Sequence, residues 1–132
     1  MKKILTTEEI NRFKEDGAIF LKGKFEVDWI KKLQKGIERD IKNPSPRFKS
    51  HTIEKNVPAY LEDYWTWDLL PEFKDFVFHS PYARIASELM SAKKINLVMD
   101  NWFLREGGSK SSTPFHHDIS YFDMDGTMCV LW

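Results

Sequence analysis

The sequence predicts an α+β fold, with helices first and strands behind them. Two observations predict it. Up to about residue 92 the apolar residues recur at three- and four-residue spacing, the period of amphipathic helices. From about residue 93 the pattern changes to alternating faces and Gly- or Pro-marked turns, as strands require. Helices followed by strands suit an α+β arrangement. At 132 residues the chain makes one domain at most, taken as 1–132.

The first helix starts at Leu5-Thr6-Thr7-Glu8-Glu9-Ile10. Thr6 caps it, Glu9 closes a capping box, and Leu5 and Ile10 form the hydrophobic staple. It ends by Asp16-Gly17, where glycine permits the left-handed conformation. Ala18 to Leu21 reads as a short apolar strand. Asp28 to about Asp40 reads as a second helix, with Ile30, Leu33, Ile37 and Ile41 on one stripe. Lys31, Lys32, Lys35 and Arg39 fall mostly outside that stripe and read as its solvated side.

Asn43-Pro44-Ser45-Pro46 breaks the helix. From there to about Tyr60 the pattern is irregular, and a long loop is expected, either bordering a substrate entrance or forming a surface excursion. Tyr60, Tyr64, Trp65 and Trp67 make an aromatic patch, either core or pocket lining. Pro71–Phe78 and Ser80–Ser91 read as two helices, with Ser80 capping the second and Pro81 at its first position. Tyr82, Ile85, Ala86, Leu89 and Met90 give that helix its apolar face. His79, at the junction and without a carboxylate at ligand spacing, reads as structural. Lys94 to about Arg105 reads as the first long strand, with Met99, Asn101, Phe103 and Arg105 on one face and Val98, Asp100, Trp102 and Leu104 on the other.

Composition narrows the function classes. Lys+Arg and Asp+Glu are 20 each, so no electrostatic footprint for nucleic acid or an anionic membrane exists. The single cysteine, Cys129, excludes an internal disulfide and fits a reducing compartment. No apolar segment follows Lys2 and Lys3, and the longest apolar run, Met128 to Trp132, is far too short to span a membrane. A cytoplasmic protein is expected.

Chemistry concentrates in Thr113-Pro114-Phe115-His116-His117-Asp118. Read as a strand running to about Phe122, it projects His116 and Asp118 to one face and His117 to the other. One imidazole and one carboxylate on a face are two thirds of the 2-His-1-carboxylate arrangement that holds non-heme Fe(II) with open positions. Taken alone, the pair reads first as two polar surface residues, since surface strands carry His-x-Asp by chance. Asn101 and Arg105 share a strand face, either reaching toward substrate oxygens or lying on the surface. Thr113 reads as a loop-closing residue, with a hydrogen bond near the site as the alternative.

The order of these pieces resembles the phytanoyl-CoA dioxygenase family of Fe(II)/2-oxoglutarate oxygenases. Asn101 to Ser109 is a strand entering a Gly-rich loop, followed by Thr113 to Asp118, the aromatic pair Tyr121-Phe122, the turn Asp125-Gly126 and a strand from Cys129 to Trp132. The resemblance runs from roughly Thr6 to Trp132. Arg105 stands where the family often has Lys, and Glu106 where it often has Pro. The resemblance implies that residues 93–132 are the first strands of a double-stranded β-helix, a jelly-roll or cupin-like barrel, incomplete here. It implies Fe(II) on His116 and Asp118, with 2-oxoglutarate as cosubstrate and Asn101, Arg105 and Trp132 as further binding residues. A small organic substrate and O2 are the implied partners. The implied reaction hydroxylates an unactivated C–H bond and releases succinate and CO2. The carboxylate at Asp118 argues against halogenation, because related halogenases have a small residue there.

The family's second His ligand and its cosubstrate-binding Arg follow this strand, and no His follows His117. An apolar strand ending at Trp132 also leaves an unpaired edge. The chain therefore reads as an N-terminal part of a larger oxygenase domain, expected to be inactive when expressed alone. The alternatives are a non-oxidative cupin-like metal-binding protein and a non-catalytic interaction domain.

Overall fold

The computed structural model describes residues 3–52, 57–110 and 112–132. Its elements are α1 (Thr7–Asp16), α2 (Val27–Lys42), β1 (Lys49–Ser50), β2 (Tyr60–Tyr64), α3 (Pro71–His79), α4 (Tyr82–Leu89), β3 (Asn101–Arg105) and a 3-10 helix over Asp118–Tyr121. The strands form one antiparallel sheet in the order β1-β2-β3. The α+β class is as expected. One three-stranded sheet is less than the two sheets of a double-stranded β-helix.

The start of α1 follows its sequence. Thr6 and Glu9 close a reciprocal capping box, and Gly17 ends the helix at φ 75. Ala18–Leu21 is not a strand: Ile19 and Leu21 pack inward and Phe20 is exposed, but no backbone among the described residues pairs with them. Alternation without a partner strand gives extended chain only. With Phe13, Phe25 and Cys129, these residues surround a first core cluster of Leu5, Ile85 and Leu89. Glu88 of α4 ties it together, its carboxylate accepting the backbone N–H groups of Ile4 and Leu5 at 2.8–3.0 Å.

The second cluster is Leu70, Phe73 and Trp102, joined by Leu33, Ile37, Phe48, Leu61 and Trp67. It fills the space between α2, α3 and one face of the sheet. The buried line of α2 is shifted from the expected stripe. Leu33 and Ile37 pack inward, Ile30 and Ile41 stay exposed, and Gly36 and Asp40 are buried. Trp102 is 4% exposed and donates its indole N–H to Asp40 Oδ2 at 2.9 Å.

Asp40 is an ionisable group in that core. Burial pushes its carboxyl up to about 6; the Trp102 hydrogen bond opposes the shift, and Asp63 and Asp100 add to it. A raised carboxyl pKa means that the folded state holds the proton more tightly than the unfolded chain. This contribution to stability is fully present below the ordinary value of 3.8 and is lost as pH rises through about 6. Asp40→Asn keeps an acceptor for Trp102 without the charge. It should be more stable than wild type at pH 7, by up to about 3 kcal/mol. The difference should vanish near pH 4 in thermal unfolding. Lowered carboxyls such as Glu72 and Glu88 act in the opposite direction but are common to both proteins.

The expected helix over Ser80–Ser91 is shorter. Its N-cap is Pro81 rather than the expected Ser80, whose Oγ accepts Tyr82 N–H at 3.2 Å from just outside the helix, and α4 is left through Ser91 at φ 53. That left-handed position favours glycine. Ser91→Gly should stabilise the fold by about 0.5–1 kcal/mol, read as a higher unfolding midpoint. His79 has a carboxylate after all. As the last residue of α3 it meets Asp75, one turn earlier, at 2.7 Å, and Asp75 also takes Lys32 of α2.

The expected long loop after Pro46 is partly strand. Lys49 and Ser50 pair with Glu62 and Leu61, and His51 N–H donates to Tyr60 O at 2.8 Å. Residues 53–56 of that loop lie outside the described residues. Tyr60 and Tyr64, expected as members of an aromatic patch, begin and end β2. The strand expected over Lys94–Arg105 pairs only from Asn101 to Arg105, opposite Tyr64 to Tyr60.

Candidate functional site

Register divides the sheet into two faces. Residues directly opposite each other share a face. Tyr60 faces Arg105, Glu62 faces Phe103, and Tyr64 faces Asn101. Lys49 faces Glu62 across the other ladder. The alternate residues Leu61, Asp63 and Trp102 point into the helix-covered core. The first set is therefore the sheet's outward face, rich in aromatic and charged groups.

Three of the expected binding residues meet on it. Arg105 lies over the Tyr60 ring at 4.7 Å. Trp132 stacks on Phe103 with centroids 5.7 Å apart and planes 9° from parallel. Asn101 Oδ1 is buried and has no hydrogen-bond partner among the described residues. His51, not singled out by the sequence, joins this face, its ring tilted 36° against that of Tyr60 at 4.8 Å, with Nε2 3.1 Å from Glu62 Oε1. Glu106, where a proline could not serve, clamps the strand end. Its N–H donates to Ala59 O at 2.9 Å and its carboxylate accepts Ala59 N–H at 2.7 Å.

His116 and Asp118 also come together. His116 Nε2 is 3.0 Å from Asp118 Oδ1. The reason differs from the expected strand. His117 is extended, but Asp118 opens the 3-10 helix, closed by Ser120 N–H to His117 O at 3.1 Å. The Ser120 hydroxyl donates to the same carbonyl. The other ring nitrogen, Nδ1, is 2.9 Å from Pro114 O. A carbonyl only accepts, so Nδ1 carries a hydrogen and Nε2 is the atom left for a proton or a metal. The Pro114 bond is the largest cause of a raised His116 pKa; burial opposes it and the Asp118 carboxylate adds to it. The Tyr121 ring meets the imidazole edge-on at 5.8 Å.

The link between the two groups is Tyr60, whose hydroxyl is 3.0 Å from Thr113 Oγ1. No hydrogen bond among the described residues joins Asn101, Arg105 or Trp132 to His116 or Asp118. Cys129–Trp132, expected as a strand, is not one among the described residues. No group of three His, Cys, Asp or Glu side chains that could hold a metal is formed among them either.

The model of the phytanoyl-CoA dioxygenase family matches residues 13–132. The chain belongs to that family. Dioxygenase-type chemistry follows at the level of the family, and with it a small-molecule substrate and O2. No curated protein and no solved structure matches this dioxygenase-family chain at a significant level. Among its described residues no helix is long and apolar enough to cross a membrane.

Proposed function

We propose that the protein takes part in Fe(II)- and 2-oxoglutarate-dependent hydroxylation of a small organic substrate, with His116 and Asp118 as two of the metal ligands. The observation that carries this reading is the pairing of Nε2 and Oδ1 at 3.0 Å. Two donors about 2.1 Å from one ion, at right angles to each other, lie about 3 Å apart, so the donor set fits. The Nδ1 hydrogen on Pro114 O supports it further, because it directs the Nε2 lone pair of the neutral imidazole toward the carboxylate. When bound, the iron and its cosubstrate supply O2 activation, with succinate and CO2 as by-products. The chain's own residues hold and orient. His116 must lose its second proton to ligate, and Asp118 brings the charge that favours a cation. On this reading Arg105 offers its guanidinium to a carboxylate, Asn101 an acceptor, and Trp132 an aromatic wall. The same reading takes the β1-β2-β3 sheet as part of a double-stranded β-helix.

Titration with Mn(II), a redox-silent substitute for Fe(II), tests the donor pair without turnover. Binding that disappears in His116→Ala supports the reading, and binding unchanged by that substitution overturns it. Succinate formation from 2-oxoglutarate with Fe(II), in a chain that also supplies the third ligand, tests the reaction.

A further inference from the structure

The segment that carries the proposed ligands has few anchors. Among the described residues from 112 to 132, a single hydrogen bond leaves the segment, from Thr113 Oγ1 to the Tyr60 hydroxyl at 3.0 Å. The others are local, between His116 and Pro114, Ser120 and His117, Phe122 and Ile119, and Cys129 and Val130. Thr113, Pro114, Phe115, His116 and His117 are all exposed, so packing holds them weakly.

Tyr60 is the opposite case. It is 8% exposed and opens the central strand. Its N–H donates to Thr52 Oγ1 and its carbonyl accepts His51 N–H, both at 2.8 Å. Its ring is held by His51 at 4.8 Å, Phe103 at 6.2 Å and the Arg105 guanidinium at 4.7 Å. A tyrosine has two side-chain torsions, so a clamped ring fixes where its oxygen lies. Thr113 can use that fixed point. It is β-branched, with a restricted side-chain torsion, and it precedes Pro114, which confines its backbone to extended conformations. Holding its Oγ1 therefore aims the chain that reaches His116 three residues on.

We propose that Tyr60 is a positioning residue. By holding Thr113, its hydroxyl sets where His116 and Asp118 present their donors. The proposal rests on the metal-ligand reading of that pair, but the tether itself can be measured without metal.

Tyr60→Phe keeps the ring and removes only the oxygen. Thr113→Val removes the partner hydroxyl, and Thr113→Ser retains it. Amide hydrogen exchange of the metal-free protein, Mn(II) affinity and the unfolding midpoint are compared for each. Tyr60→Phe and Thr113→Val should each speed exchange at the Ser120 and Phe122 amides, the hydrogen-bonded N–H groups of the segment, and leave β3 and the helices unchanged. Each should weaken Mn(II) binding about 2- to 10-fold, as one net hydrogen bond allows. The double variant should be no worse than either single one, and Thr113→Ser, which keeps the hydroxyl but not the branch, should stay closer to wild type than Thr113→Val. Unchanged exchange at the Ser120 and Phe122 amides in Tyr60→Phe overturns the proposal. So does faster exchange with wild-type Mn(II) affinity, or faster exchange throughout the protein with a lowered midpoint, which would make the role merely structural. If His116→Ala binds Mn(II) as well as wild type, it is the metal reading that has failed.

Discussion

His116→Ala and Asp118→Ala are each expected to lower metal affinity at least about 100-fold, more than the loss of an outer-shell partner causes. In a chain that also supplies the third ligand, turnover of 2-oxoglutarate should fall to background with it. Asp118→Asn is the sharper variant. It keeps the size and shape of the residue that opens the 3-10 helix but removes the charge that a divalent cation needs. His117→Ala should leave both readouts largely intact, because the contacts of that residue are made by its carbonyl, which accepts from Ser120. Mn(II) titration and succinate formation check the four variants. An inactive His117→Ala beside an active His116→Ala would assign the ligand role to the wrong imidazole.

The second large effect is expected at Gly36, far from those donors. A Cβ built there would lie 2.7 and 2.8 Å from Phe73 ring carbons and 3.2 Å from Glu72 Cβ. Glycine inside a helix costs about 1 kcal/mol relative to alanine, so propensity alone favours replacing it. Close packing of α2 on α3 opposes that. Phe73 is buried, and its ring has nowhere to go without opening the second core cluster. Gly36→Ala should come out destabilised by about 1 kcal/mol once the propensity gain is subtracted, and Gly36→Val by roughly 2–3 kcal/mol. In thermal unfolding, the valine variant should lose on the order of 10 °C. A raised midpoint for Gly36→Ala would show that the helices separate easily.

Gly36 also shows what the sequence could and could not tell. Helical period placed α2 to within two residues, but a stripe drawn through Ile30, Leu33, Ile37 and Ile41 cannot show which end a neighbouring helix covers. That depends on where α3 crosses, and the crossing is set by a residue with no side chain. Asp40 was equally hidden, because pattern reading assigns charged residues to solvent. The indole of Trp102, 62 positions away, gives the buried carboxylate a donor. The capping box of α1 was legible because every group in it lies within four residues. β2 was not, since Tyr60 to Tyr64 acquires its strand character from partners on both sides.

The proposed site divides in the same way. His116 and Asp118 stand out because their residue types and two-residue spacing carry the chemistry directly. The expected geometry was wrong in kind, strand in place of extended chain and 3-10 turn, yet both routes bring the side chains together. Trp132 against Phe103 and Thr113 against Tyr60 join residues 29 and 53 positions apart, and no local pattern encodes such pairs.

The grip of Glu88 on the amides of Ile4 and Leu5 sets where the folding unit begins. The family model starts at residue 13, but Leu5 is 3% exposed and belongs to the same cluster as Ile85 and Leu89. A truncation drawn at the homology boundary would strip a core residue, leave a buried wall of α4 facing water, and deprive the Glu88 carboxylate of its amide donors. Alignment boundaries mark where sequences can still be matched to relatives. The cooperative unit here starts at least eight residues earlier, and an expression boundary belongs ahead of Ile4.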